Sequence, residues 1–489
     1  MTLAERIVRG AKASLGATML DILTNAALVV LLTRVLLTPN EYGQLNFVLS
    51  ALGVVTILAT LGIPKSTARY VTEFAETDPG QVPHVVKKSV VFLGSLVAAV
   101  SVATLLLGRP VANALGTPSV VPYLLAGSLY VVGRAGRTYF TALFQGFNRV
   151  TYSATVSSVA SASRLPFVVA FVVLGFGVGG ALFGYVASGV LATFVGAYIA
   201  YTKFYSKYDA ADEPDADLSK RLLEYSIPLT ATRGANVLDK KVDTLLVGVL
   251  LNMTAVGYYT VAKQVSDFVA APASSFGYAV SPALGEQSSK DEIERAATLY
   301  EQSLEYVLVA YLPAVVGLVL VADPMIRYVF GTDYLGAVPV VQVFAGFMLV
   351  NAVNKVTSDG LDYLGRARSR AIIKSAMAVS NFCLNLVLIP VLGVVGAALA
   401  TVATYTVYTL SNVYFIHQEL AFDVPTVLRT LGAVALVTVA MAGTVWVALP
   451  YVSGLPTLFA TVFLGGATWA ALSVAGGILD VRKVANLLT

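Results

Sequence analysis

Apolar runs of about 20 residues, the length that carries a helix across the hydrocarbon core of a bilayer, follow one another along the whole chain. They predict fourteen spans, near 14–37, 44–64, 89–108, 119–143, 152–176, 179–202, 226–251, 258–284, 301–322, 337–362, 371–392, 394–416, 428–449 and 456–479. The expected class is therefore an all-α polytopic membrane protein, because a helix satisfies its own backbone hydrogen bonds where no water can.

The polar positions inside these runs are not scattered. At 100° per residue, Tyr130, Arg134, Arg137 and Thr141 fall on one stripe. So do Ser153, Ser157, Ser161 and Arg164, and likewise Asn351, Lys355, Ser358 and Asp362. Asp21 stands one turn from Asn25, Lys263 one turn from Asp267, and Asn381 one turn from Asn385. The densest case is PLTATRGANVLDKKVDTLLVGVLL (228–251), where Arg233, Asn236, Lys240 and Asp243 share a stripe with Asp239 beside it. An ionised group at the centre of a lipid-facing helix costs about 2.5–3.5 kcal/mol on insertion scales. A span keeping five of them, Arg233, Asp239, Lys240, Lys241 and Asp243, must turn them toward protein, water or a polar ligand; otherwise the helix begins only near Val242, which leaves a short span. Stripes on several helices imply a shared polar interior, either a cavity or a set of buried ion pairs. For Lys263 and Asp267 a pair within one helix is as good an account as a site. For Arg134, Arg137 and Arg164 no acid lies one turn away.

The pattern also repeats. LLTRVLLTPNEYGQ (31–44) aligns without gaps to LLVGVLLNMTAVGY (245–258) at an offset of 214, and GVGGAL (177–182) aligns to GVVGAA (393–398) at an offset of 216. Two matches at nearly one offset predict a duplicated half of six helices. Six is even, so the halves keep one orientation, related by a pseudo-two-fold axis along the membrane normal. The expected organisation is a six-helix bundle in 1–207, a solvated linker in 208–222, a second bundle in 223–420 and two additional C-terminal helices in 421–489.

Composition agrees with this and removes alternatives. The 489 residues are 57% hydrophobic and 12% charged, with mean hydropathy +0.77, outside the range of soluble globular domains. A single cysteine, Cys383, excludes an internal disulfide and a CxxC metal site. Two histidines, His84 in an expected loop and His417 near a helix end, make zinc or haem sites improbable. No metal, cofactor or nucleic-acid partner is expected. Lys and Arg crowd the connections of one side, where only Arg109 and Arg327 occupy the other, so both termini are expected in the cytoplasm. Asn252-Met253-Thr254 is an N-glycosylation pattern on an expected outer turn.

LLTRVLLTPNEYGQLNFVLSALG (31–53), LGIPKSTARYVTE (61–73), LFQGFNR (143–149), VDTLLVGVLLNMTAVGYYTVAKQV (242–265), VFGTDYLGAVPVV (329–341) and SNFCLNLVLIPVLGVVGAALATVATY (380–405) together resemble the Wzx-like polysaccharide flippases of the multidrug/oligosaccharidyl-lipid/polysaccharide exporter superfamily. These pieces recur over most of the chain at expected helix boundaries, and Gly43 and Gly331 in them suit tight backbone conformations. The resemblance implies two bundles around a central cavity, alternating access, and a lipid-linked oligosaccharide on a polyprenyl or dolichyl phosphate or diphosphate as cargo, moved within the cytoplasmic membrane of a prokaryote. A cationic interior suits that cargo, because arginine binds phosphate through paired hydrogen bonds. Arg134, Arg137, Arg164, Arg233, Lys240, Asn236, Asn351 and Lys355 are the candidate cargo contacts. Asp21, Asp239, Asp243, Asp267 and Asp359 are candidates for coupling to protons or sodium ions, although neutralising Lys240, Lys263 or Lys355 is an equal account of them. A drug or metabolite antiporter of the same superfamily is the alternative, against which the excess of intramembrane Arg and Lys speaks. An enzyme is not expected: no large outer loop is available for catalytic residues, and no GxxxxGK[ST] nucleotide loop occurs.

Overall fold

A computed structural model describes residues 3–289 and 292–479. Lys290, Arg482 and Lys483, which belong to the basic connections expected in the cytoplasm, lie outside the described residues, as does the end of the 421–489 segment. All regular structure among the described residues is helical: α1 (Leu3–Leu31), α2 (Pro39–Thr60), α3 (Ile63–Thr77), α4 (Val82–Ala114), α5 (Val121–Ala126), α6 (Ser128–Gly146), α7 (Val150–Phe171), α8 (Gly177–Lys203), α9 (Leu218–Leu250), α10 (Met253–Ser289), α11 (Ile293–Met325), α12 (Val338–Tyr363), α13 (Ala367–Leu392), α14 (Val394–Leu420), α15 (Val424–Ala448) and α16 (Leu455–Ala475). Ten stretches among the described residues are long and apolar enough to cross a membrane. Helices α6 and α9, which carry the arginines of the polar stripes, are not among them, because those side chains lower the hydropathy.

The chain divides into two compact units, Met1–Gly257 and Tyr258–Thr489. In the first, α7 packs along α1 and α8, α6 lies against α3 and α8, and α9 lies along α2 and α3. Its core gathers Ile63, Val71, Leu143, Phe144, Val156 and Leu222. Helix α9 is continuous from 218 to 250, so it runs unbroken through Arg233, Asp239, Lys240, Lys241 and Asp243; the alternative start near Val242 is not what forms. In the second unit, α12 packs on α11 and α14, with Tyr300, Val307, Val356 and Ile416 at its centre. The two C-terminal helices sit at its edge: α15 lies along α11, and Val321, Val445 and Leu458 close the seam.

Local chemistry explains the element ends. Thr38 caps α2, its side chain accepting from the Glu41 backbone N–H while Glu41 reaches back to the Thr38 N–H at 2.9 Å, and Pro39 occupies the first turn. Residues 39–43, which fall between the expected spans 14–37 and 44–64, are thereby the first turn of the helix. The aligned glycines share a backbone conformation. Gly177 (φ 49°, ψ −130°) and its counterpart Gly393 (φ 63°, ψ −145°) open α8 and α14 in one conformation that residues with a Cβ avoid. Gly43 needs no unusual dihedral; it is small because its Cα faces the Met253 carbonyl, while its counterpart Gly257 faces the Pro39 carbonyl. Asn40 donates to Thr254, 214 residues on, at 3.5 Å. The two aligned stretches thus meet through equivalent positions, Gly43 against Met253 and Gly257 against Pro39. Asn252 uses its side-chain oxygen to accept from the Ala255 N–H (2.9 Å) as α10 begins.

The linker is exposed at most positions from 209 to 217, yet it is tied to the first unit at several points. Gln81 donates to the Glu213 carbonyl (3.0 Å) and accepts from the Asp215 N–H (2.9 Å), and the Ala211 N–H donates to the Gly80 carbonyl (3.0 Å). His84 lies in the first turn of α4 rather than in a loop, with Nε2 2.8 Å from the Ala211 carbonyl. Arg221 pairs with Glu73 (2.5 Å) and Asp215 (2.9 Å) beneath the rings of Tyr70 and Phe74. Partial burial works against its charge, but the two carboxylates hold its pKa above the ordinary arginine value. Linker residues whose polar backbone finds partners this way are ordered by the first unit, whatever their composition suggests.

Candidate functional site

Helices α6 and α8 approach until their backbones nearly touch. A Cβ on Gly133 would lie 2.9 Å from the Val190 nitrogen, and one on Gly189 would lie 3.2 Å from the Gly133 carbonyl carbon. Thr193 then donates to the Gly133 carbonyl at 3.2 Å. Small residues permit this closeness in membrane helices, and it aims the polar stripe of α6 at the face of α8 that carries Tyr185 and Ser188. Helix α7 completes the enclosure with Ala160 and Arg164. The result is a cavity of about 40 Å³ lined by Tyr130, Arg134, Arg137, Arg164, Tyr185 and Ser188.

Its electrostatics are lopsided. Asp21 of α1 accepts from Ser161 Oγ (2.6 Å) and Arg164 Nη2 (3.1 Å) through one oxygen, Oδ1. The Arg164 guanidinium also lies 5.6 Å from the Tyr185 ring centre, and its Nε is buried without a hydrogen-bond acceptor. Arg137 lies within electrostatic reach of Arg134, Asp21 and Arg164, and Arg233 of α9 lies within reach of Arg134. Among the described residues no carboxylate stands at ion-pair distance from Arg134, Arg137 or Arg233. Three guanidiniums border the cavity, a fourth stands beside it, and one carboxylate belongs to the group. Such a place is rich in N–H and O–H donors and poor in acceptors, which suits an oxyanion and repels a cation.

Four of the eight residues expected to contact cargo are therefore brought together: Arg134, Arg137, Arg164 and Arg233. The other four are elsewhere. Asn236 and Lys240 are exposed along α9 and do not line the cavity, and each is engaged within the structure. Asn351 and Lys355 lie on α12 of the second unit. There Tyr405 donates to Asn351 (3.1 Å) and accepts from Asn354 (3.0 Å), while Asn412 donates to Asn354 (2.9 Å). Of the acids, Asp21 holds Arg164, and Asp243 is buried and engaged. Asp239 and Asp267 are exposed and engaged, with Lys263 near Asp267 set 5.7 Å from the Tyr259 ring centre. Asp359 lies beside Asp362, which pairs with Arg370 at 2.6 Å. No cluster of three metal-ligating side chains occurs among the described residues.

Tyr185 and Ser188 escaped sequence reasoning because α8 reads as an almost unbroken apolar run in which one tyrosine and one serine carry no charge signal. The Asp21–Arg164 pair joins residues 143 positions apart, so no helical spacing could announce it.

Comparison with known proteins gives the following. A family model described as "Polysaccharide biosynthesis protein" matches residues 7–287, and the MatE family model matches residues 228–391. The chain is 22% identical over 234 residues to the "probable low-salt glycan biosynthesis flippase Agl15" of Haloferax volcanii, a match covering 47% of this chain and 49% of that protein, so it spans about half the length of this curated relative. Among solved structures, lipid II flippase MurJ in an inward closed conformation superposes with a TM-score of 0.74 at 14% identity, over 95% of this chain and 98% of MurJ. An inward-facing multidrug resistance MATE transporter of the MOP superfamily superposes with a TM-score of 0.70 at 16% identity, over 84% of this chain and 98% of the transporter. At these identities the structural likeness concerns the fold.

Proposed function

Since the chain belongs to the polysaccharide biosynthesis protein family and folds like the MATE transporters and MurJ, we propose that it flips a lipid-linked oligosaccharide from the cytoplasmic to the outer leaflet by alternating access. The observation that carries this reading is the gathering of Arg134, Arg137 and Arg164 around one cavity with Arg233 beside Arg134. The cargo's obstacle is its phosphate. Stripping an ionised group of water in hydrocarbon costs tens of kcal/mol in the Born limit, whereas fixed guanidiniums replace that hydration with paired hydrogen bonds. Tyr130, Tyr185 and Ser188 add polar groups around the phosphate. The carrier is a polyprenyl or dolichyl phosphate or diphosphate, both termini lie in the cytoplasm, and Lys240, Asn236, Asn351 and Lys355 remain secondary contacts along the path.

Drug antiport is the weaker reading. A cationic drug needs an acidic pocket, and the one carboxylate of this group already holds Arg164 and Ser161. Coupling to protons or sodium would rest on Asp239, Asp243, Asp267 or Asp359, or on Asp21 after release of Arg164.

The test is glycan export in a deletion strain carrying each variant, normalised to folded protein in the membrane. Without the protein, the lipid-linked glycan should accumulate unflipped. Arg134→Ala, Arg137→Ala and Arg233→Ala should each reduce export, and Arg→Lys should reduce it less, because the charge survives while the paired geometry is lost. Full export by the three single variants and by their combination would refute the role.

A further inference from the structure

The cavity between α6, α7 and α8 is partly open, with Arg134 exposed at its rim, and the space inside it is small. Its volume is about 40 Å³; at roughly 10–15 Å³ for one water by the same measure, it holds about three waters. A chloride ion or one tetrahedral phosphate fits that space, and a sugar ring does not. The lining is made of donors. Arg134 and Arg137 have no carboxylate at ion-pair distance among the described residues, Arg164 shares Asp21 with Ser161, and Arg164 Nε is buried without an acceptor. Ser188 Oγ donates to the Tyr185 carbonyl. The charges that face Arg137 are Arg134, Asp21 and Arg164, with Arg233 beyond Arg134, so positive charge exceeds negative around a space of a few waters.

Concentrated positive charge at a site bordered by membrane helices favours an anion whether or not cargo is bound. We propose that this cavity is a small-anion site, taking chloride or inorganic phosphate, and that cargo phosphate enters by displacing the resident anion. The second half rests on the flippase reading above; the first does not. Displacement makes the flippase an anion exchanger: the carrier returns with a small anion in place of the delivered phosphate, and an inward anion gradient would assist export. The site lies wholly within the first unit and needs no residue of the second.

Equilibrium binding of radiolabelled chloride to the purified full chain in detergent, with no glycan present, tests the site separately from transport. Saturable binding near one ion per chain is expected, competed by inorganic phosphate and not by gluconate, which is too large for the cavity. Arg137→Gln should weaken it at least tenfold. Arg134→Gln, whose side chain is exposed at the rim, provides a second variant whose folding is less at risk, and should weaken binding several-fold. Arg327→Gln, on an arginine paired with Asp323 in the other unit, should leave it unchanged. The proposal fails if neither chloride nor phosphate binds saturably, if gluconate competes equally, or if binding survives both cavity variants. Undiminished glycan export by variants that have lost chloride binding would instead refute the transport reading alone.

Discussion

Replacing Asp21 by Asn should destabilise the first unit by about 1–2 kcal/mol, and adding Arg164→Gln should recover about half of that. Asp21 Oδ1 accepts from Ser161 at 2.6 Å and from Arg164 at 3.1 Å. The Arg164 side chain is 14% exposed and the Asp21 side chain 52%. Breaking a fully buried pair costs about 3–5 kcal/mol, because the surviving charge is stranded; an exposed pair is worth about 0–1 kcal/mol. One partner buried and the other half open places the loss between these limits. The amide introduced by Asp21→Asn keeps a bond to Ser161 but cannot neutralise a guanidinium whose Nε already lacks an acceptor. Removing that guanidinium as well ends the stranding, so a double-mutant cycle should show about 1 kcal/mol of coupling. Tryptophan fluorescence is the wrong probe, since Trp446 and Trp469 belong to α15 and α16 of the other unit. Hydrogen exchange of peptides from α1 and α7 reads the relevant local stability. Arg137→Gln supplies the contrast: it removes a cation with no carboxylate at ion-pair distance among the described residues, so stability should hold or rise by up to about 1 kcal/mol while export falls. Additive losses in the double variant, or a loss for Arg137→Gln as large as that for Asp21→Asn, would refute this division between a structural and a ligand-binding arginine.

Gly43→Ala should cost about 2 kcal/mol, because the added methyl runs into the immovable Met253 carbonyl; Gly53→Ala on the same helix, with nothing within 4 Å, should be neutral or mildly stabilising, and equal melting temperatures for the two would contradict the close contact. Gln81→Ala removes both linker hydrogen bonds and should cost about 1–2 kcal/mol, seen as faster proteolysis within 209–217; an unchanged cleavage rate would mean the linker is held by its other contacts alone. With the exposed Cys383 replaced by Ser, a cysteine at Thr332 should react with an impermeant reagent in intact cells and one at Asp209 only after lysis; the reverse would invert the orientation drawn from the basic residues.

What the linear pattern determined was the set of elements and their repetition. Apolar length decides where a helix crosses lipid, so most of the long helices, among them α15 and α16 at the C-terminal end, could be read directly, whereas the short α3 and α5 could not. The duplication was legible because Gly177 and Gly393 are required by a backbone conformation rather than by neighbours, and such a requirement stays in the sequence. The stripe of Tyr130, Arg134 and Arg137 was equally plain, since helical spacing alone puts them on one face. Their consequences were decided only in three dimensions. Whether an arginine is paired depends on what another helix brings to it: Arg164 meets Asp21 from 143 residues away, while Arg137 shares the same cavity and meets no carboxylate at ion-pair distance among the described residues. The acidic linker is exposed as its composition predicts, but Gln81, Glu73 and the ring of Tyr70 supply partners along it that composition does not contain. Local sequence sets backbone conformation and facing; charge balance and burial are sums over neighbours, and neighbours are a property of the fold.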